Sequence, residues 1–167
     1  MKKTFFICLN KYCIYICCVK LEDAIKQKKF DSPYHKAVLN IMYTFNWLSQ
    51  EQEKLFREHD ITPQQYNVLR ILRGKHPNSI CAGEIKEVMI DKNPDLTRLC
   101  DRLVKKGLIE RETNEFNRRQ VLIGITSTGL EFLKKMDPVL KNLSKKNKNL
   151  SDEENRILSD LLDKFRG

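Results

Sequence analysis

Between Asn93 and Thr126 the hydrophobic period of the chain changes within a few residues, and this change constrains the fold more than any other feature. In NPDLTRLCDRLVKKGLIERETNEFNRRQVLIGIT, Leu96, Leu99, Cys100, Leu103 and Val104 recur at spacings of three and four, which is the period of a half-buried helix. Asn93 is suited to cap that helix and Pro94 to fill its first position, so it is expected to run to Lys106. Gly107 then stops it. Leu108 to Arg111 reads as a strand, Glu112 to Asn117 as a polar loop, and Gln120 to Ile125 as a second strand. Helix, glycine, strand, loop, strand is therefore the local plan.

The polar faces of the same stretch carry the chemistry. At 100° per residue, Asp95, Arg98, Arg102 and Lys105 fall opposite the leucines. The loop ends in Asn117, Arg118 and Arg119. A helix with basic side chains beside a basic β-hairpin is the arrangement by which a winged helix grips duplex DNA, the helix in the major groove and the wing on the backbone or minor groove. The competing reading is a surface helix with a solvated charged face; three cations against one acid favour DNA. Over the whole chain Lys plus Arg is 31 and Asp plus Glu is 22, a formal charge of +9 with a pI near 9.3. Such an excess suits a polyanion, either nucleic acid or an anionic membrane surface.

The remainder reads as helices. From Ser32 onward Tyr34, Ala37, Val38, Ile41, Met42, Phe45, Leu48, Gln52, Leu55 and Phe56 keep a helical spacing to about His59, with Asp31 or Ser32 as cap and Pro33 at the first position. At about 26 residues, roughly 39 Å, this helix is longer than a compact domain needs and is expected to reach a partner. Thr62-Pro63-Gln64-Gln65 is a capping-box start, and Gly74 is expected to end the helix it opens. A short helix is predicted over roughly Ala82 to Ile90. Thr126 caps a helix through Leu130, Leu133, Met136, Leu140 and Leu143, which Pro138 should kink or break. Ser151 and Glu154 form a second capping box before the stripe Ile157, Leu158, Leu161, Leu162 and Phe165. Aromatics at 8% and only six glycines argue against an all-β fold with many tight turns. The expected fold class is mainly α with a small β-hairpin wing. It divides into a leader over 1–20, an N-terminal helical region over 21–60, a reading domain over 61–126 and C-terminal helices over 127–167. Apolar stripes at both ends imply a symmetric dimer.

Four of the six cysteines, Cys8, Cys13, Cys17 and Cys18, crowd the leader. No CxxC pair occurs there and no histidine lies near, so no metal site is expected. His35, His59 and His76 lack ligand spacing, and no cofactor is expected. The leader begins like a secretory signal, but Asn10 and Lys11 break its apolar run, no small-x-small cleavage site follows, and neither half can span a bilayer. Two readings stay open: a poorly ordered leader, or a start codon assigned upstream of the true one. Cys81 and Cys100 suit small apolar positions of a cytoplasmic protein. Cys100 falls on the apolar face of its helix, and Cys81 lies near a helix start.

Residues ITPQQYNVLRIL at 61–72, LTRLCDRLVKKGLIER at 96–111, and NRRQVLIGIT followed by Thr128-Gly129 resemble the MarR family of winged helix-turn-helix regulators. The resemblance covers about Leu21 to Gly167. It implies that Arg98 and Arg102 face the major groove with Lys105 on the same face, and that Lys92, Asn93 and Thr97 lie near phosphates. It implies that Arg118 reaches the minor groove, and that Asp101 pairs with Arg118 or Arg119 to lock wing to helix. Asn117 stands where the family has aspartate, and the family's wing proline is missing. The resemblance also implies a homodimer held by the terminal helices on double-stranded DNA with a palindromic operator. A small, often aromatic or phenolic, effector would release it, and Tyr43, Trp47 and Tyr66 are aromatic candidates for its pocket; plain core packing is the competing reading of all three. Some members sense oxidants through cysteine.

Three function classes follow. The first is a sequence-specific repressor gated by a small molecule, in which Arg102→Ala should weaken specific binding more than non-specific binding. The second is a winged-helix module for protein–protein contact without DNA. The third, an enzyme, finds no support: the chain has no glycine-rich phosphate loop, no nucleophile with a nearby base and no paired acids on one helix face.

Overall fold

Side chains at the helix starts set most of the element boundaries. The computed structural model describes residues 19–91, 95–114, 117, 120–146 and 149–167. Helix α1 is a single turn, Leu21–Ala24. Helix α2, Pro33–Arg57, begins where the Ser32 hydroxyl accepts the His35 N–H at 3.0 Å. Helix α3, Pro63–Lys75, opens with the expected box: Thr62 accepts the Gln65 N–H at 3.2 Å, and the Gln65 side chain accepts the Thr62 N–H at 3.0 Å. Each satisfies a donor that a helix start otherwise leaves unpaired. Strand β1, Ile80–Cys81, leads into helix α4, Ala82–Val88.

Helix α5, Leu96–Lys105, takes Asp95 as its cap; the expected start at Asn93 and Pro94 lies outside the described residues. It ends as its glycine requires. Gly107 has φ +67°, the left-handed conformation that only glycine adopts at little cost. The Leu108 N–H reaches back to the Leu103 carbonyl at 3.0 Å and the Gly107 N–H to Val104 at 2.8 Å, closing a Schellman turn. Strands β2, Ile109–Thr113, and β3, Val121–Ile125, follow. Helix α6, Ser127–Lys146, starts where the Thr126 hydroxyl accepts the Gly129 N–H at 3.1 Å. Helix α7, Asp152–Arg166, starts at the second capping box.

The chain forms two compact units that divide between Leu55 and Phe56. In the first, α1 and the start of α2 are joined by an ion pair between Glu22 and Lys36, and the hydrogen bond that the Lys36 ammonium donates holds the Glu22 carboxyl below its ordinary range. Lys36 also lies 5.6 Å from the Phe30 ring. In the second, one core is assembled from every layer. Val68, Leu69 and Leu72 come from α3, Ile85 from α4, Leu96, Cys100 and Leu103 from α5, Ile109, Ile123 and Ile125 from the sheet, and Leu133 and Met136 from α6. Phe56, the last apolar residue of α2, is buried here with its ring 4.8 Å from that of Tyr66.

Two expectations are refined and two are corrected. The sheet has three antiparallel strands in the order β1-β3-β2, not a hairpin alone, with Ile80 opposite Ile123 and Ile109 opposite Ile125. Gly74 does not end α3, which continues to Lys75. The stop belongs to Pro77, because the residue before a proline is driven out of the helical region, and His76 sits at ψ 137°. Pro138 does not break α6. Leu133 and Met136 anchor the turn before it in the core, and Asp137 is gripped through both carboxylate oxygens by Arg73 of α3 at 2.9 and 3.1 Å. Helix α4, expected over roughly Ala82 to Ile90, ends at Val88. The stripes of α2 and α7 remain largely uncovered, with Met42, Phe45, Ile157 and Leu161 all exposed.

Candidate nucleic-acid interface

The division of α5 into two faces follows from its sequence. Leu96, Cys100 and Leu103 are buried, while Thr97, Arg98, Arg102 and Lys105 are exposed. Val104, placed on the apolar side by its spacing, sits at the edge and is 38% exposed. The exposed face therefore carries three cations and a hydroxyl on a helix that the core holds from behind. Asp95 stands at its head. One carboxylate oxygen accepts the Arg98 N–H at 3.1 Å, and the other lies 3.1 Å from the Arg98 Nε.

A second contact fixes α5 from the sheet side. Arg111 of β2 donates to the Asp101 carboxylate at 2.6 Å and to the Thr97 carbonyl at 3.3 Å. Burial pushes the pKa of the nearby Cys100 thiol above its ordinary value, against the opposing pull of the Arg111 charge. One guanidinium thus ties two positions of the helix, Thr97 and Asp101, to the strand, using the planar fork that makes arginine suited to such bridging. Asp101 does pair with an arginine of the hairpin, but among the described residues the partner is Arg111. Sequence reading passed over Arg111 in favour of the arginines at the loop end. The signal was present, since Arg111 lies two residues beyond buried Ile109 in a strand and shares its face.

At the base of the loop, Asn114 and Gln120 close the hairpin through a backbone bond of 3.0 Å and a side-chain bond of 2.8 Å. The Gln120 N–H reaches the Asn117 carbonyl at 2.8 Å. Lys92, Asn93, Arg118 and Arg119, and with Arg118 the expected Asp101–Arg118 pair, lie outside the described residues. At the far end of α5, Lys106 donates to both the carbonyl and the carboxylate of Asp60, which holds the α2–α3 turn to the helix.

Among the described residues, two recesses flank α5. One, of about 250 Å³, lies between the helix and the sheet and is lined by Ala82, Leu96, Thr97, Cys100, Arg111 and Val121 among others. The other, of about 220 Å³, is lined by Gln64, Asp91, Asp95, Arg98, Leu99 and Arg102. Of the aromatic candidates, Tyr43 and Trp47 are exposed on α2 in the first unit. Tyr66 is a core residue of the second, and burial raises its phenol pKa. Cys81 is half-buried and caps α4, where the Glu84 side chain accepts its N–H at 2.9 Å.

Comparison with known proteins gives this geometry its family. Residues 61–121 match the model of the MarR family. The multiple antibiotic resistance protein MarR of Escherichia coli K12 is 31% identical over 105 residues, which cover 60% of this chain and 72% of that protein. The transcriptional repressor MprA of the same organism is 27% identical over 114 residues, 67% of this chain; the match spans just under two thirds of MprA, 65%. Among solved structures, a MarR transcription factor from Planctomyces limnophilus is 33% identical with a TM-score of 0.63, covering 81% of this chain and 98% of that one. A mutant Escherichia coli MarR complexed with operator DNA is 29% identical with a TM-score of 0.63, covering 80% and 99%. The fold is therefore a winged helix, with α3, α4 and α5 as its helices and β2–β3 as its wing, and the chain belongs to the MarR family.

Proposed function

We propose that this protein is a sequence-specific DNA-binding transcriptional repressor, acting as a homodimer on a palindromic operator and released by a small molecule. The observation that carries the reading is the outer face of α5. Thr97, Arg98, Arg102 and Lys105 are exposed together, on a helix held rigidly by its core face and by Arg111. Preorganised cations on a helix of major-groove width fit duplex DNA. The operator complex of the 29% identical relative supports the same use. In this reading Arg98 and Arg102 meet base edges, Lys105 and Thr97 lie near phosphates with Lys92 and Asn93, and Arg118 and Arg119 serve the wing. The uncovered stripes of α2 and α7 support pairing of two copies. The recess between α5 and the sheet has apolar walls and the Arg111 guanidinium, which supports a single-ring aromatic or phenolic effector. With Tyr66 in the core, the recess is the better seat for it than the three aromatics.

The test is binding of the purified protein to duplex DNA from its own upstream region against a scrambled duplex, at two salt concentrations. Preference for the upstream duplex, with affinity falling as salt rises, is the expected result, because cations on phosphates release counterions. No binding at low salt would reject the reading and favour a protein partner for the α5 face.

A further inference from the structure

We propose that Asp95 is a specificity-determining positioning residue, which turns Arg98 so that only the terminal edge of its guanidinium meets the duplex and thereby commits that side chain to a guanine. The inference rests on the DNA reading above and goes beyond it to one base contact.

Both oxygens of the Asp95 carboxylate bind the same residue. One accepts the Arg98 backbone N–H at 3.1 Å, and the other lies 3.1 Å from Nε of the Arg98 side chain. The backbone bond fixes the plane of the carboxylate to the helix, and the carboxylate in turn fixes the guanidinium. A guanidinium offers two edges for paired donation, one through Nε and one through its two terminal nitrogens. With Nε engaged, the terminal edge is left, and its spacing matches O6 and N7 of guanine in the major groove. Arg98 lies in the first turn of α5 and its side chain is 80% exposed. The N-terminal residues of a recognition helix are those that reach base edges.

The position of the acid argues for reading rather than for adhesion. A carboxylate on a face that meets a polyanion opposes binding to every sequence alike. Asp95 and Asp91 both line the 220 Å³ recess beside Arg98 and Arg102, so acids are interleaved with the cations where a purely adhesive surface would exclude them. As an exposed pair in water, Asp95–Arg98 adds little to folding stability. Once water is excluded beneath DNA the same pair is held more strongly. A misread base then leaves the terminal edge unpaired, which is how a site rejects a wrong partner.

The experiment uses the full chain and a pool of duplexes randomised over roughly 20 base pairs, enough for two half-sites one turn apart. Wild type, Arg98→Ala, Asp95→Asn and Asp95→Ser are compared by the sequences they enrich and by their affinity for a scrambled duplex. Asparagine and serine both keep a capping oxygen, and thermal unfolding checks that the fold is retained. Arg98→Ala is expected to erase a guanine preference at one position, worth roughly 5- to 150-fold for a paired contact. Both Asp95 variants are expected to reduce that same preference several-fold, to leave the other positions unchanged, and to bind the scrambled duplex more tightly. Full retention of the guanine preference in the Asp95 variants would overturn the inference and leave DNA reading intact. So would an even loss at all positions, or an Arg98→Ala pattern identical to wild type. A wild-type chain that enriches no sequence would overturn the DNA reading, and the inference with it.

Discussion

A methyl group at position 129 has nowhere to go. A Cβ there would lie 2.2 Å from the Leu108 carbonyl oxygen and 2.7 Å from Cγ1 of Ile125, and the first of these belongs to backbone that cannot swing aside. Gly129→Ala is expected to cost about 3 kcal/mol or more of unfolding free energy, read as a lower urea midpoint. Thr128-Gly129 was legible as a family signature; the reason for the glycine, a helix start pressed against the loop after α5, appears only when the two segments meet. Arg111 is the opposite case, an arginine whose role follows from strand alternation but which the more conspicuous Arg118 and Arg119 overshadowed. Arg111→Gln removes an exposed ion pair and is expected to cost only about 1 kcal/mol of stability. Duplex affinity should fall by more, since a reading helix must be held to within about 0.5 Å. Equal losses in urea titration and in binding would reduce Arg111 to a stability residue.

At the scale of elements, helix starts were the most readable part of the chain, because each depends on side chains within three residues. Thr62, Thr126 and Ser151 all bond as their spacing predicts. Ends were less readable. Gly74 looked like the stop of α3, but a proline three residues on decides it. Strand β1 was invisible, since two residues carry no period and Ile80 is made a strand by Ile123, more than forty positions away. The capping boxes also make a titration. Glu154 bonds the Ser151 N–H and hydroxyl, which depresses its pKa. A depressed carboxylate contributes stability above its unfolded value, and that contribution is lost as pH falls through the folded one. Hydrogen exchange of the residue 154 amide should therefore accelerate relative to unfolded chain as pH drops below the usual glutamate range, and Glu154→Gln should flatten that dependence. An unchanged profile would show the carboxylate to be idle.

For the whole molecule, the uncovered faces of α2 and α7 set the expectation. Stripes of this kind were legible from spacing alone, and with them the expectation of a symmetric dimer. In the proposed pairing, Leu161→Glu places a charge on the α7 face and is expected to yield a monomer in light scattering. Operator affinity should then drop on the order of 10²-fold or more as the second half-site is lost. A variant that stays dimeric would move the interface elsewhere.

Trp47 is the single tryptophan of the chain, and it stands 43% exposed on α2. All indole fluorescence therefore originates from one point on one helix, without any label. Emission from a water-facing indole lies toward the red, and covering that face of α2 should move it toward the blue. A dilution series followed with excitation selective for indole over tyrosine would then report in a cuvette whether α2 changes its surroundings as copies separate, DNA is added or an effector is supplied.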